Sequence, residues 1–169
     1  DRKIKVLEEG GCPIYEPGLT ELIRKNRDAG RLRFTTDPEP AYRDAEMVFI
    51  CVGTPTSADG SHADLKYVMG AADDVADAIT QLGPDQAPKV VVVKSTVPVG
   101  TSHAVRDRIR ERVGPDIPFH IANNPEFLKE GAAVNDFNYP DRVVCAVPDD
   151  AAGDRMRELY APFVRQGNP

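Results

Sequence analysis

Three short segments of this 169-residue chain carry small hydroxyl, glycine and acidic residues, the types that hydrogen-bond polar ligands. Residues 53–57 are Gly-Thr-Pro-Thr-Ser, and residues 94–101 are Lys-Ser-Thr-Val-Pro-Val-Gly-Thr. Glycine lets a ligand approach the backbone, and hydroxyls can bind a phosphate or a ribose. Residues 124–131 contain Glu126 and Glu130, whose carboxylates share one face if the segment turns helically. Each segment alone fits an ordinary turn or solvated surface, but together they indicate a cleft that could hold a nucleotide.

Each of these segments follows a predicted β-strand. Strand-like runs occur at residues 32–35, 47–52, 89–95, 119–123 and 142–147. Those at 47–52 and 90–93 are apolar without alternation, as in a parallel sheet covered on both faces, and should be the most buried. Predicted helices separate the runs: residues 19–29, 65–82 capped by Asp64, 101–113 capped by Thr101, and about 151–164. This alternation predicts an α/β fold with a doubly wound parallel sheet, which binds ligands at the carboxyl ends of its strands.

The composition limits the class of protein. Acidic residues outnumber basic ones by 27 to 21, so we expect no nucleic-acid surface. No apolar run approaches the roughly 18–20 residues of a membrane helix, and no secretory signal or lipidation motif is found. The three cysteines and three histidines are scattered, which argues against a disulfide framework or a metal site. We therefore expect a cytoplasmic domain without a metal.

The glycine-rich turn of dinucleotide-binding folds, G-x-G-x-x-G, is not found among the 13 glycines. Either the chain has a different α/β fold, or it begins after that turn.

Several short blocks resemble one family in order and spacing over nearly the whole chain. Residues 13–19 are Pro-Ile-Tyr-Glu-Pro-Gly-Leu, and the segments at 94–101 and 124–131 also match. Further matching blocks lie at 29–37, 52–55, 63–68, 140–144 and 159–163. The chain thereby resembles the nucleotide-sugar dehydrogenases, that is, the UDP-glucose/GDP-mannose dehydrogenase family.

The resemblance implies that residues 1–169 are most of a Rossmann-like NAD-binding domain. It implies an NAD-dependent enzyme that oxidises the C6 hydroxyl of UDP-glucose to the carboxylate of UDP-glucuronate. The family does this in two hydride transfers through a cysteine thioester, which water then hydrolyses. GDP-mannose or a UDP-N-acetylhexosamine is the alternative substrate. The resemblance also implies a homo-oligomer for the full-length protein, with no nucleic-acid or membrane partner.

Two sets of residues match the family's cofactor-binding positions. The first set would line the adenosine and ribose side of NAD: Val52, Gly53, Thr54 and Pro55. The second set would contact NAD nearer its reactive end: Ser95, Thr96 and Val97. Glu130 matches a glutamate that lies close to the nicotinamide ribose.

The resemblance places catalysis on two side chains. Glu126 matches the general base, or water-positioning group, of thioester hydrolysis, and Thr96 matches a threonine that helps to order the water. A carboxylate beside a thioester can orient water and accept its proton, while a threonine hydroxyl both donates and accepts. The UDP-sugar would be contacted, partly through the backbone, by Glu126, Phe127, Leu128 and Lys129.

Other parts of the family pattern have no match in this chain. The glycine-rich turn and the first two strands would lie before residue 1. Either the protein has those strands, or residues 32–35 form an exposed sheet edge that invites pairing with another chain. The nucleophilic cysteine and the UDP-sugar domain would lie beyond residue 169. Cys12 precedes a proline turn, while Cys51 and Cys145 fall inside predicted strands, so all three are expected to be structural. Alone, this chain should therefore be a non-catalytic nucleotide-binding or interaction module.

Overall fold

The computed structural model describes residues 2–164 of the chain. A parallel sheet of three strands lies in this range, with β1 at Met47–Ile50, β2 at Lys89–Val93 and β3 at Phe119–Asn123. The strand order is β1-β2-β3, so β2 is central. All three carboxyl ends therefore meet at one edge of the sheet, which we call the carboxyl edge.

Seven helices lie within the described residues. They are α1 (Arg2–Glu8), α2 (Leu19–Asp28), α3 (Pro38–Arg43), α4 (Lys66–Leu82), α5 (Thr101–Val113), α6 (Ala133–Asn138) and α7 (Asp150–Tyr160).

The described chain divides into two compact units. The sheet unit comprises residues 38–126 and 143–161 and holds the three strands with α3, α4, α5 and α7. The helical unit comprises residues 2–37, 127–142 and 162–164 and holds α1, α2 and α6. Each unit is assembled from segments that are distant in the sequence.

The hydrophobic core of the sheet unit lies between one face of the sheet and the helix pair α4 and α5. Because side chains alternate along a strand, Val91 and Val93 of β2 face this core while Val90 and Val92 face the other side. All four are buried, and α7 packs against β3. Both faces of the central strand are therefore buried, as the unbroken valine run predicts.

Strand β1, predicted at residues 47–52, is shorter and less buried than expected. It ends at Ile50 rather than at residue 52, and only Val48 and Ile50 are fully buried while Met47 and Phe49 are half-buried. Within the described part of the chain β1 pairs on one side only, with β2. Met47 and Phe49, on the face of β1 turned away from the core, are therefore less buried than Val90 and Val92 of the central strand.

Two of the five strand predictions are wrong. Residues 32–35 form no strand; instead the backbone N–H groups of Arg31 and Leu32 donate to the carbonyl of Asn26, which closes the end of α2. They consequently form no sheet edge. In residues 142–147 a single antiparallel bridge joins Ala146 to Asn123, and no ladder continues it. Both runs have strand-like composition, but a strand also requires a neighbour with which to pair.

The ends of the helices differ from expectation in a few places. Thr101 is the first residue of α5 rather than its cap; the cap position is Gly100, in the left-handed conformation at φ 91°. Leu65, not Asp64, is at the cap position of α4, which begins at Lys66, although the Asp64 carboxylate accepts a hydrogen bond from the Lys66 N–H at 3.0 Å. The short helices α1, α3 and α6 were not predicted. In α3 both prolines, Pro38 and Pro40, lie in the first turn, where their missing N–H groups cost no helical hydrogen bond.

The start of α7 depends on an ionised aspartate. The Asp149 carboxylate accepts a hydrogen bond from the Ala152 N–H at 2.9 Å and lies 2.7 Å from Nδ1 of His120. The hydrogen bond from Ala152, aided by His120, lowers the pKa of Asp149 below its usual 3.8. A carboxyl whose pKa is depressed by folding stabilises the fold fully above pH 3.8 and ceases to do so as the pH falls through the lowered value.

We expect Asp149→Asn to remove this pH dependence, because asparagine caps a helix about as well but does not titrate. Melting temperatures of the two proteins should differ near pH 7, and the difference should shrink as the pH falls below 4. A difference that stayed constant over this range would show that the Asp149 charge contributes nothing.

Candidate functional site

The segments that follow β1 and β2 are joined at the carboxyl edge. Ser95 is buried, and its hydroxyl donates towards the carbonyl oxygens of Ile50 at 3.2 Å and Val52 at 2.7 Å. Beside it, the Thr54 hydroxyl donates to the carbonyl of Thr96 at 2.8 Å. The two predicted cofactor-binding segments are therefore held side by side. The proton of the Ser95 hydroxyl is used by the protein itself, so only its lone pairs are left for a ligand.

The surface of these two segments is open around Gly53. A Cβ placed on Gly53 would meet no atom within 4 Å, and Gly53, Pro55 and Thr96 are exposed. Val52 and Val97, in contrast, are partly buried and pack against the hydrophobic core. A nucleotide at this edge would consequently meet backbone and small side chains, which suits close approach by a phosphate or a ribose.

Asn124, the residue directly after β3, is the centre of a buried hydrogen-bond network. Its side chain is 2% exposed, and its Nδ2 donates to the carbonyl of Val144 at 2.8 Å. Its Oδ1 accepts a hydrogen bond from the hydroxyl of Tyr160 in α7 and lies 3.5 Å from Nζ of Lys94. One amide thus ties the end of β3 to β2, to residues 143–145 and to α7. No pattern in the sequence alone points to this role of Asn124.

The two predicted catalytic residues both lie in the sheet unit, just past adjacent strands. Thr96 comes three residues after β2, and Glu126 comes three residues after β3. Both are exposed. Pro125 favours an extended Asn124 and so ends β3 before Glu126. This is the position, at the rim of the carboxyl edge, that the sequence predicts for both side chains.

The predicted substrate-contacting residues 127–129, together with Glu130, belong to the helical unit. Residues 124–129 are not helical, so the spacing of four residues does not place Glu126 and Glu130 on one helix face. The reason is visible at Lys129, whose N–H donates to Oδ2 of Asp136 at 3.1 Å rather than to the carbonyl four residues earlier. Leu128 is partly buried, whereas Phe127, Lys129 and Glu130 are exposed.

The cysteines are free thiols, but two of them lie elsewhere than predicted. Cys51 lies just past β1 and is exposed, and Cys145 is outside any strand. Desolvation by surrounding protein atoms is the main cause that raises the pKa of both thiols, and it does so for Cys51 even though part of that residue is exposed. A raised pKa disfavours the reactive thiolate. Neither therefore resembles an activated nucleophile. Within residues 2–164 no cluster of three or more potential ligands could hold a metal ion, and no helix is long and apolar enough to cross a membrane.

Comparison with known proteins decides the family. The family model described as "UDP-glucose/GDP-mannose dehydrogenase family, NAD binding domain" matches residues 1–164. The chain belongs to this family. Membership confirms the Rossmann-like α/β fold and identifies NAD as the cofactor.

Similar proteins in this dehydrogenase family are considerably longer than the chain. A UDP-glucose 6-dehydrogenase of Pseudomonas aeruginosa is 45% identical over 166 residues, which are 96% of this chain and 35% of that protein. One from Rhizobium meliloti is 44% identical, over 99% of this chain and 37% of that protein. The chain thus spans a little over a third of the length of these curated relatives.

Solved structures of this dehydrogenase family share the fold. A UDP-glucose dehydrogenase from the archaeon Pyrobaculum islandicum superimposes with a TM-score of 0.89 at 40% identity, over 96% of this chain and 37% of that one. A GDP-mannose dehydrogenase from Pseudomonas aeruginosa gives a TM-score of 0.90 at 36% identity, again over 96% and 37%.

Proposed function

We propose that this chain is the NAD-binding part of a longer enzyme that oxidises UDP-glucose to UDP-glucuronate. The observation that carries the proposal is the 45% identity, over 96% of the chain, to a protein named UDP-glucose 6-dehydrogenase. The geometry of the sheet unit is compatible with it, because small and hydroxyl-bearing residues line the carboxyl edge where such folds bind nucleotides.

NAD would lie over the carboxyl edge. The adenosine and ribose side would rest on residues 52–55, and the reactive end would approach residues 95–97. The family resemblance adds Glu130 as a further proposed contact, with the nicotinamide ribose. The open surface at Gly53 and the exposed Thr96 fit this placement. Bound NAD would supply the hydride acceptor for the oxidation.

The chain's own catalytic task in this proposal is thioester hydrolysis. Thr96 orders a water molecule, and the Glu126 carboxylate accepts the proton that the water loses as its oxygen adds to the thioester carbonyl. The C–S bond then breaks, and the cysteine, which lies outside this chain, leaves as a thiolate. Residues 126–129 contact the UDP-sugar, partly through the backbone.

Replacing Gly53 by valine is expected to weaken NAD binding without weakening the fold. A Cβ at this position meets nothing within 4 Å, so the added side chain would occupy the space proposed for the cofactor. We expect the Kd for NAD to rise at least about tenfold, since losing roughly 1.4 kcal/mol of binding energy has this effect. Calorimetric titration with NAD measures the change.

Gly70→Val is the matched control, because Gly70 of α4 also has open space at its Cβ position. It should leave the Kd for NAD unchanged. Unaltered NAD binding by Gly53→Val, or equal weakening by both variants, would contradict the placement of NAD over residues 52–55.

The substrate is tested by assaying the longer enzyme with NAD and each candidate nucleotide sugar. UDP-glucose should give NADH at the highest kcat/KM. GDP-mannose is the second candidate, because a GDP-mannose dehydrogenase superimposes as well as any structure described above. No NADH from UDP-glucose would refute the first proposal, and turnover of GDP-mannose or a UDP-N-acetylhexosamine alone would replace it.

The chain on its own is proposed to bind NAD without turnover, because none of its three cysteines lies in a glycine-rich loop like the one that holds the family's nucleophile. Incubated with UDP-glucose and NAD, it should form no NADH. A cytoplasmic location and a homo-oligomeric full-length enzyme stay predictions of the sequence analysis.

A further inference from the structure

Glu16 makes two contacts that no local sequence pattern explains. Its Oε2 accepts a hydrogen bond from the Gly131 N–H at 2.8 Å, and its Oε1 accepts one from the Ala133 N–H at 2.9 Å. Both partners lie more than a hundred residues further along the chain and belong, like Glu16, to the helical unit. Hydrogen bonds from N–H groups to an ionised carboxylate are among the stronger ones in proteins.

These contacts satisfy backbone groups that the local chain leaves without a partner. The first N–H groups of a helix have no partner within that helix, and a side chain at the cap position normally accepts from one of them. The cap position of α6 is Ala132, which has no side-chain acceptor. Glu16 supplies the missing acceptor from a distant segment.

The position of Glu16 is itself fixed by a tight turn. Residues 16–19 form a turn closed by a hydrogen bond from the Leu19 N–H to the Glu16 carbonyl at 3.1 Å. Pro17 and Gly18 occupy its centre, and Gly18 has φ 80° and ψ −10°, the values of a type II turn that glycine tolerates best. A Cβ on Gly18 would lie 3.9 Å from Val134 of α6, so the turn packs closely on that helix. The Glu-Pro-Gly-Leu block thus aims the carboxylate at residues 131–133.

We propose that Glu16 is a positioning residue for the segment 127–130, which on the proposed function contacts the UDP-sugar and the nicotinamide ribose. Within the segment the Lys129 N–H donates to Asp136, and just past its end Glu16 accepts hydrogen bonds from Gly131 and Ala133. Between these points the Ala132 N–H donates to the Lys129 carbonyl at 3.0 Å. On the proposed function the segment binds the UDP-sugar partly through its backbone. Sugar binding would therefore depend on the turn at residues 129–132 staying closed.

The test uses Glu16→Gln in the longer enzyme. Glutamine keeps the length of the side chain but has one acceptor oxygen, so one of the two N–H groups loses its partner. Hydrogen exchange at the amides of Gly131 and Ala133 should become faster. The KM for the UDP-sugar should rise about tenfold while kcat changes less than about twofold, because the turn positions residues proposed to bind the sugar and none proposed to transfer a proton. The Kd for NAD measured without the sugar should rise less than the KM, because Glu130 is the one proposed NAD contact in this segment.

Glu21→Gln is the matched control, since Glu21 is an exposed glutamate of α2 in the same unit. It should alter none of these quantities. Glu16→Asp, which keeps the charge on a shorter side chain, provides a second arm and should change exchange and KM in the same direction but less. A role confined to folding would instead lower kcat and the affinities for both ligands together.

Two results would overturn the inference. Unchanged exchange at Gly131 and Ala133 in Glu16→Gln would show that the carboxylate does not hold the turn. Faster exchange with an unchanged KM for the UDP-sugar would show that the turn does not position the substrate segment. Failure of the proposed function is seen separately, as a wild-type enzyme that oxidises no nucleotide sugar.

Discussion

Glu126→Gln in the longer enzyme is expected to halt the reaction at the covalent thioester. Glutamine preserves the size of the side chain but removes the base that accepts the proton from water. The first oxidation and thioester formation should survive, while hydrolysis slows by roughly 10²–10⁴-fold, the usual contribution of a positioned acid–base group. Intact-protein mass spectrometry after mixing with UDP-glucose and NAD should therefore show the enzyme carrying the sugar nucleotide.

Glu111→Gln provides the control, because Glu111 is an exposed glutamate of α5 in the same sheet unit. It should turn over normally and accumulate no adduct. The role assigned to Glu126 would be wrong if Glu126→Gln hydrolysed the thioester at the wild-type rate.

Asn124→Leu is expected to cause the largest loss of stability among simple polar substitutions in the sheet unit. Leucine has a similar size but removes the amide that bonds the Val144 carbonyl and the Tyr160 hydroxyl. Losing these two buried hydrogen bonds should cost about 3 kcal/mol in total, since each costs roughly 1–3 kcal/mol. Native-state hydrogen exchange at the β3 amides measures this as a fall in the free energy of opening.

Tyr160→Phe separates the contributions within the network. It removes one hydroxyl, and we expect a loss of about 1 kcal/mol. Asn124→Leu and Tyr160→Phe should be less than additive in the double variant, because both remove the same hydrogen bond. Strict additivity, or a loss below 1 kcal/mol for Asn124→Leu, would show that the amide is not the centre of the network.

The parts of the fold that the sequence predicts well are those dictated by burial. A strand with four consecutive valines is recognisable because both of its faces are buried, and strand β3 at Phe119–Asn123 was predicted at its observed bounds. The strands predicted at residues 32–35 and 142–147 were wrong because burial does not decide whether they form. Their composition suits a strand, but pairing is decided by which other segment lies beside them, and periodicity contains no such information.

The same distinction applies to the site. Residues at the carboxyl ends of strands are predictable once the strands are, so Thr54, Thr96 and Glu126 fall where expected. Asn124 was missed because its partners are 20, 30 and 36 residues away along the chain. The buried hydroxyl of Ser95 likewise bonds carbonyls more than 40 residues earlier. Only tertiary structure reveals such contacts.

The partners of Glu16 determine when this part of the protein can fold during its synthesis by the ribosome. Its two amide partners follow it by 115 and 117 residues. At roughly 5–20 residues per second, translation would deliver them roughly 6–23 s after Glu16. During that interval the nascent segment before residue 38 cannot complete its own unit, while all three strands of the sheet emerge. The segment around Glu16 is therefore made before the strands but is among the last to reach its native contacts, and chaperones that bind nascent chains have several seconds in which to meet it.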